Sequence, residues 1–247
     1  MAPEVERDYR DYWASLTVSH GSHPANRFRY ELIAAEIERL SIAPRRTLDC
    51  GCGDGSLLSV VSGRVCCGEL HGTDVAANVP LHKSGLAAVQ FQQQDLGKPV
   101  PASQHGQYDL VLCSEVIEHV ASDEIVLENL ARLAKPGGFI VLSTQSGAIY
   151  KTEQFLGHLR HYKREDLAAR LERYGTRIVK SYLCGWPWLN LQKIAAHTFQ
   201  SAVQKSIVQA ASLSAPVRIL FFVLYYLYKF SSRSHGPQIV IVASKLP

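Results

Sequence analysis

The chain has 247 residues, of which 47% are hydrophobic, and a formal net charge of +4. A composition this apolar supplies a buried core, so it excludes a disordered protein. The first residues, MAPEVERDYRDYW, mix acids and bases where a secretory signal needs an uninterrupted apolar core, so we expect a cytoplasmic protein.

Helical and strand-like periodicities alternate along most of the chain, which predicts βαβ units and a mostly parallel sheet. An amphipathic helix, Asn26 to Leu40, precedes the core. The predicted strands are Thr47–Cys50, one ending at Asp74, Val89–Gln93, Tyr108–Cys113, Phe139–Ser143, Arg177–Leu183 and Gln238–Ser244. Helices are predicted from Ser56, over Asp123–Ala134 and over Arg164–Tyr174, and a Pro136-Gly137-Gly138 turn precedes the fifth strand. The expected fold is α/β, a doubly wound Rossmann-like sheet of seven strands, mostly parallel.

A glycine-rich turn links the first strand to its helix. The segment LDCGCGDGS places Gly51, Gly53 and Gly55 where positive φ and bare backbone let a ligand lie against main-chain N–H groups. Asp49 precedes the first glycine by two residues, where a carboxylate would repel a pyrophosphate but suits a cationic amino-acid moiety and a sulfonium. Asp74 ends the second strand, where an acid can accept the ribose hydroxyls of a nucleoside.

The sequence resembles the class I methyltransferases that use S-adenosylmethionine (SAM), whose first motif looks like LDCGCGDGSL. The resemblance covers Thr47 to Leu183 and the last strand, and includes HGTDV, QQQDL, YDLVLCSEVIEHV and KPGGFIVLST. It implies SAM as the cofactor, with the ribose held by Asp74 and the adenine amino group approached by Asp95. The implied cofactor-binding set is Asp49, Gly51, Cys52, Gly53, Gly55, Asp74, Val75, Asp95, Leu96 and Cys113.

The segment EVIEHV follows the fourth strand, at the carboxyl edge of the sheet where open α/β folds bind ligands. His119 is a candidate general base, because imidazole takes a proton near neutral pH. In the alternative interpretation, Glu118 and His119 only cap and pair within the start of a helix. The segment is similar to ubiquinone-pathway O-methyltransferases, within the methyltransferase type 11 and 12 group. It favours methyl transfer to oxygen of a small hydrophobic or lipid-linked acceptor.

The same E-x-x-E-H spacing also resembles the metal site of small-RNA 3′-end 2′-O-methyltransferases. Glu115, Glu118 and His119 would supply three ligands, and His158 or His161 a fourth. We rank this hypothesis second, with no metal and no nucleic acid in the preferred one, because the rest of the chain does not resemble an RNA enzyme. A non-catalytic adaptor with a SAM-type fold at a membrane is a further alternative.

A long loop from Gln145 to Lys163 is typical of a lid or a binding segment. His158 and His161 are catalytic candidates in it, as base or as orienting group, and Arg160 can clamp an acidic acceptor. The alternative is a polar surface loop. The family resemblance further implies a leading helix that closes over SAM, through Arg27, Arg29 and Tyr30.

Residues 186–235 are predicted to form a helical insertion between the sixth and seventh strands. Ten uncharged residues lie between Arg218 and Lys229, too few to span a bilayer, which needs about 20 residues. Residues 173–247 carry nine lysines and arginines and no acid, which favours an anionic membrane surface as a partner. A homodimer face or a lid over a hydrophobic acceptor explains the apolar residues equally well. A second apolar stripe in this segment contains Phe199, Val203, Ile207 and Ala210.

Four segments are predicted along the chain. They are a helical cap (1–44), the SAM-binding α/β core (45–185), a helical apolar and basic insertion (186–236) and the final strand of the core (237–247). If the insertion meets lipid, the protein is expected at the inner face of a membrane as a peripheral protein. The cysteines are expected to be reduced thiols, because their C-x-C and C-C pairs suit neither disulfides nor a zinc site.

Overall fold

A computed structural model describes residues 23–77, 79, 81, 88–198 and 215–247. Its single sheet contains β1 (Arg46–Cys50), β2 (Glu69–Asp74), β3 (Val89–Gln93), β4 (Tyr108–Ser114), β5 (Ala134–Gln145), β6 (Thr176–Cys184) and β7 (Gln238–Lys245). The helices are α1 (Pro24–Arg39), α2 (Ser56–Ser62), α3 (Asp123–Leu133), α4 (Lys151–Phe155), α5 (Arg164–Glu172), α6 (Trp188–Thr198) and α7 (Ala215–Lys229).

The strands follow the order β3-β2-β1-β4-β5-β7-β6 across the sheet. Only β7 runs antiparallel to its neighbours, β5 and β6. The predicted fold, a doubly wound and mostly parallel sheet of seven strands, is therefore confirmed. The strand order reverses between β1 and β4, which makes the carboxyl ends of these strands the position where such folds bind ligands.

Helices cover both faces of the sheet because the central strands are apolar on both sides. In β4, Leu110 and Leu112 belong to a core cluster with α1 and α2, whereas Val111 and Cys113 belong to one with α3 and α5. All four side chains are fully buried. This alternation places a hydrophobic layer on each face, and every buried leucine or valine contributes about 1.5–3 kcal/mol relative to an exposed one.

Two local expectations change in the structure. The Pro136-Gly137-Gly138 turn lies inside β5 and not ahead of it, because Tyr108 already pairs with Ala134 before the register shifts. Gly137 accommodates this irregularity with a φ of 78°. The loop after β5 contains a short helix, α4, so this segment is less irregular than its sequence indicates.

The C-terminal helices pack beside the N-terminal one. Helix α7 lies on α1, where the rings of Phe28 and Tyr228 are 5.9 Å apart. The predicted stripe at residues 199–210 lies outside the described residues. None of the helices in the described ranges is long and apolar enough to cross a membrane. The division into four segments stays a prediction, as does a cytoplasmic location.

Candidate active site

The turn between β1 and α2 is held open by its glycines. Gly51, Gly53 and Gly55 have φ values of 76°, 50° and 76°, a left-handed conformation that favours glycine. The N–H of Gly51 donates to the carbonyl of Thr73 over 2.7 Å, which ties the turn to the end of β2. A Cβ on Gly51 would collide with the side chain of Val116. The turn therefore exposes main chain beside the ends of β2 and β4.

Buried carboxylates crowd this turn. Asp49, Asp54 and Asp74 are all buried. The carboxylate of Asp74 accepts hydrogen bonds of 3.0 Å from the N–H groups of Gly53 and Ala76. Burial, followed by the charges of Asp74 and Asp54, raises the pKa of Asp49 to about 8. Because these carboxylates lie close together and are buried away from water, a cationic ligand is favoured here. SAM carries a sulfonium and an ammonium group.

The remaining side chains of the predicted cofactor set divide between rim and interior. Val75 is exposed, whereas Cys52, Leu96 and Cys113 are buried. Asp95 lies on the rim, and its carboxylate pairs with Lys98 at 3.2 Å. Cys113 belongs to the core cluster under α3, so its side chain contributes packing. The cofactor-binding roles of these residues stay predictions.

Glu115, directly after β4, is the centre of a buried polar network. Its φ of 57° is unusual for a residue with a side chain. Its carboxylate pairs with Arg29 at 3.2 Å and accepts hydrogen bonds from the amides of Gln145 and Gln238. Burial acts to raise the pKa of Glu115, but Arg29 and these amides together lower it below the usual value. Sequence reasoning missed both glutamines, although each is a polar residue at the end of an apolar strand.

The three predicted catalytic histidines are brought together. The rings of His119 and His158 stand edge to face with centroids 4.7 Å apart. Nδ1 of His158 lies 3.0 Å from Nε2 of His161, whose Nδ1 lies 3.2 Å from the carbonyl oxygen of Gly147. Burial and the neighbouring His119 lower the pKa of His158 to about 3, so this imidazole is neutral at neutral pH.

The hydrogen-bond geometry assigns the tautomers of this histidine pair. A carbonyl oxygen only accepts, so Nδ1 of His161 donates to Gly147. Burial lowers the pKa of His161, and Nε2 of the neutral ring is left as an acceptor. Nδ1 of His158 then donates to that Nε2. Nε2 of His158 consequently carries a lone pair, so His158 can accept a proton from a bound molecule.

Glu118 lies close to His119 and His158 and is fully buried. One carboxylate oxygen accepts a hydrogen bond from the hydroxyl of Thr144 at 2.9 Å, and the other has no hydrogen-bond partner among the described residues. Burial and the charge of Glu115 raise the pKa of Glu118 well above its usual value. Ligand atoms of Glu118, His119 and His158 lie within 4.8 Å of one another, a group that can hold a metal ion. Glu115, expected from its spacing to join such a group, is instead held by Arg29.

Helix α6 contributes an unpredicted cation to the site edge. Nζ of Lys193 pairs with Glu153 at 2.7 Å and donates to the Gln145 side chain at 3.4 Å. Glu153 in turn lies 3.9 Å from Nε2 of His161. Lys193 stands in an apolar stretch, so no local pattern marked it as a site residue. The insertion thus reaches the histidine cluster.

Two of the cationic side chains expected to face a ligand make other contacts. Arg160 pairs with Asp123 at 3.1 Å, which fixes the loop to the start of α3. The guanidinium of Arg27 stacks over the ring of Tyr225, 4.0 Å from its centroid. Tyr30 is buried in the cluster between α1 and the sheet, near Asp54 and Asp49, and burial raises the pKa of its hydroxyl.

A glycine-lined turn with buried carboxylates, at the switch point of a doubly wound sheet whose last strand is antiparallel, defines a class I SAM-dependent methyltransferase. Comparison with known proteins gives the same class. A family model described as a methyltransferase domain matches residues 25–181. A ubiquinone biosynthesis O-methyltransferase of Xanthomonas euvesicatoria pv. vesicatoria is 31% identical over 198 residues, which cover 71% of this chain and 80% of that protein.

Solved structures share the fold. A putative methyltransferase from Bacillus halodurans superimposes with a TM-score of 0.59 at 15% identity, over 87% of this chain and 99% of that one. Phosphoethanolamine N-methyltransferase 2 of Haemonchus contortus, in complex with SAM, gives a TM-score of 0.56 at 16% identity, over 98% of this chain and 60% of that one. The chain belongs to the methyltransferase-domain family, and it is an enzyme that uses SAM as its cofactor.

Proposed function

We propose that this methyltransferase transfers the SAM methyl group to a hydroxyl oxygen of a small, hydrophobic or lipid-linked acceptor. The observation that carries the proposal is the hydrogen-bonded pair of His158 and His161, because it leaves Nε2 of a neutral imidazole ready to take a proton. A hydroxyl loses its proton when it is methylated, so a base helps at this position.

The cofactor is proposed to lie against the turn at residues 51–55. Asp49 would meet a cationic part of SAM, and Asp74 would accept hydrogen bonds from the ribose with the lone pairs that its two backbone contacts leave over. When bound, SAM supplies a methyl group on a positively charged sulfur. Much of the acceleration then comes from aligning the acceptor oxygen with that methyl group.

His158 is proposed as the base and His161 as the residue that orients it. The hydrogen bond from His161 to Gly147 fixes one tautomer, as the third group of a catalytic triad does. A pKa near 3 makes His158 a weak base in the acceptor-free protein. An acceptor whose hydroxyl is itself weakly acidic, such as a phenol with a pKa of about 10, therefore suits this site better than an alcohol.

The chemistry of the acceptor has two lines of support. The similar Xanthomonas protein is named as an O-methyltransferase of ubiquinone biosynthesis, which supports oxygen as the target atom. Helix α6, which carries Leu191 and Ile194 as exposed apolar side chains, brings Lys193 to the edge of the histidine cluster. An apolar acceptor can therefore contact this insertion while its hydroxyl meets the histidines.

A second candidate is a metal-assisted methyltransferase. It is favoured by the group formed by Glu118, His119 and His158, in which one buried carboxylate oxygen has no hydrogen-bond partner among the described residues. Mixed oxygen and nitrogen ligands suit a divalent ion such as Mn²⁺, which would lower the pKa of a bound hydroxyl. Activity that disappears with EDTA and returns with Mn²⁺ supports this candidate, whereas activity unaffected by EDTA removes it.

The deciding experiment for the acceptor is a screen with methyl-labelled SAM against phenols, alcohols, amines and thiols, each with and without an apolar tail. We expect label on the oxygen of tailed phenols, identified by mass spectrometry. Transfer confined to amines or thiols, or to compounds without an apolar part, contradicts the proposal.

A further inference from the structure

Helix α7 carries apolar side chains on two opposite faces. On the inner face Tyr225 and Tyr228 are buried, and Tyr225 donates a hydrogen bond to Glu31 of α1. The outer face, here called the α7 outer face, carries exposed apolar side chains. These are Ile219, Phe222, Val223, Tyr226 and, just beyond the helix, Phe230.

The spacing of these residues makes one continuous surface. Residues 219, 222, 226 and 230 are three or four positions apart, and residue 223 is four positions from 219 and three from 226, so all five lie on the same side of a helix. From residue 219 to residue 230 the surface is about 16 Å long. Ile219 is 66% exposed, Phe222 60% and Phe230 80%. Soluble proteins seldom leave so many large apolar side chains together in water, so the α7 outer face is expected to meet a partner.

Positive charges surround this apolar surface. Arg218 lies at one end and Arg233 follows the helix, and residues 173–247 contain no acid. Lys229, at the other end, also pairs with Glu31 of α1 at 3.8 Å, so Arg218 and Arg233 carry the charge argument. Anionic lipid headgroups above an apolar interior complement both features. A second copy of the chain would match only the apolar part, because like cations would be brought together. Because the inner face packs on α1, lipid reaches α7 from one side only.

We propose that the α7 outer face docks on an anionic lipid surface, with the helix lying parallel to the membrane. Its aromatic side chains, Phe222, Tyr226 and Phe230, would sit at headgroup level, where such rings are favoured. Helix α7 packs on α1, and Arg29 of α1 contacts Glu115 at the site. Docking would therefore hold the active site one helix away from the bilayer, and it does not depend on which acceptor is methylated.

The test is co-sedimentation of the full chain with vesicles. One set contains phosphatidylcholine alone, and the other also contains phosphatidylglycerol. We expect binding to the anionic vesicles only, weakening as salt screens the charges. Arg218→Glu should weaken it by about 25-fold, from about fivefold for each unit of charge. The double change Ile219→Ser with Phe222→Ser should weaken it by at least about tenfold.

Matched controls come from the edge strand β6. Arg177→Glu makes the same charge change as Arg218→Glu, and Val179→Ser removes an exposed apolar side chain. Both residues lie in the first half of β6, which ends at Cys184. Cys184, at the other end of β6, packs in the same apolar cluster as Tyr228 of α7, and about 23 Å of strand separates it from Arg177. Both controls should bind vesicles like the unaltered protein, and all variants should bind SAM normally, which shows that they are folded.

Three results overturn the proposal. They are no recruitment to anionic vesicles, equal recruitment to neutral ones, or equal loss in the β6 controls. If sedimentation velocity instead shows a dimer that the Ile219→Ser, Phe222→Ser variant dissociates, the α7 outer face is an interface between two copies. Methyl transfer to a soluble acceptor stays measurable in each case, so failure here is distinct from failure of the proposed function.

Discussion

Arg29 of α1 and Glu115 at the end of β4 form an ion pair 3.2 Å long, with side chains only 10% and 18% exposed. The same guanidinium donates through Nε to the Gln238 side chain at 3.2 Å. Helix α1 thus contacts the end of β4 and the start of β7, which lie at the edge of the sheet where ligands bind.

Removing one partner of this pair should destabilise the enzyme. In Arg29→Met the buried carboxylate of Glu115 loses its cationic partner on α1. We expect this to lower the free energy of unfolding by about 3–5 kcal/mol. The double change Arg29→Met with Glu115→Gln removes both charges and should recover much of that loss. Urea denaturation measures both, with Arg27→Met as control because Arg27 is 52% exposed. An Arg29→Met protein as stable as the Arg27→Met control contradicts the structural role of the pair.

Asp49 should contribute strongly to SAM affinity. Asp49→Asn keeps the shape of the side chain and removes the charge, and a charge-assisted contact is worth about 1.5–3 kcal/mol, so Kd should rise about 10- to 100-fold. Calorimetric titration with SAM measures the change. Asp166→Asn, on the exposed side of α5, is the control and should leave Kd unchanged. Equal Kd values for the two variants mean that the carboxylate at position 49 does not meet the cofactor.

The affinity for SAM should also depend on pH through Asp49. With a pKa of about 8, this carboxyl is protonated at neutral pH in the free enzyme. A cationic ligand favours the ionised form, so binding releases a proton and affinity should rise from about pH 6 to about pH 8. Titrations in phosphate and in Tris would report the released proton as different apparent enthalpies. Asp49→Asn should abolish both effects, and a flat profile in the unaltered enzyme is the contrary result.

Gly51 should tolerate no side chain. Gly51→Ala faces the strain of a left-handed conformation, about 1–2 kcal/mol, and in addition a collision with Val116 in the turn. Gly137→Ala is a matched control, because its φ is 78° against 76° for Gly51 and its Cβ would meet nothing within 4 Å. We expect the backbone strain to cost a similar small amount of stability in both variants, and the collision to add a further loss of stability and the loss of SAM binding in Gly51→Ala alone. Normal SAM affinity in that variant would show that the cofactor does not need this bend.

His158 should act on the chemical step and not on cofactor binding. His158→Gln removes the proposed base, and kcat should fall by about 10²–10⁴-fold while the Kd for SAM stays the same. His161→Gln should have a smaller effect, because it only loses the group that orients the base. The exposed His235 offers a control in His235→Gln. A His158→Gln enzyme that keeps its kcat on the best acceptor means that His158 is not the base.

Much of the fold follows from local patterns in the chain. The third strand was predicted with its observed bounds, Val89–Gln93, and α3 ends one residue earlier than expected. Alternation of apolar residues, caps and glycine turns act over a few neighbouring positions, so a single sequence displays them. The same holds for the turn at residues 51–55 and for Asp74, whose order along the chain is set by the βαβ unit.

The active site was predictable only in part. Three histidines could be named from their sequence context, but their hydrogen bonds, their neutral state and the burial of Glu118 could not. Gln238 and Lys193 came from segments with no chemical motif. They matter because the sheet brings the start of β7 and the side of α6 next to residues far away in the chain.

The sequence by itself determined a doubly wound sheet, a glycine bend preceded by a carboxylate, and a basic C-terminal third with a hydrophobic helix. These are properties of neighbouring residues, and they follow from backbone sterics, periodicity and composition. Tertiary structure alone decided that Arg29 holds Glu115, that His158 faces His161, and which side of α7 packs on α1. These features depend on packing between segments that are distant in the sequence. Burial there determines the partner of each charged side chain and its protonation state.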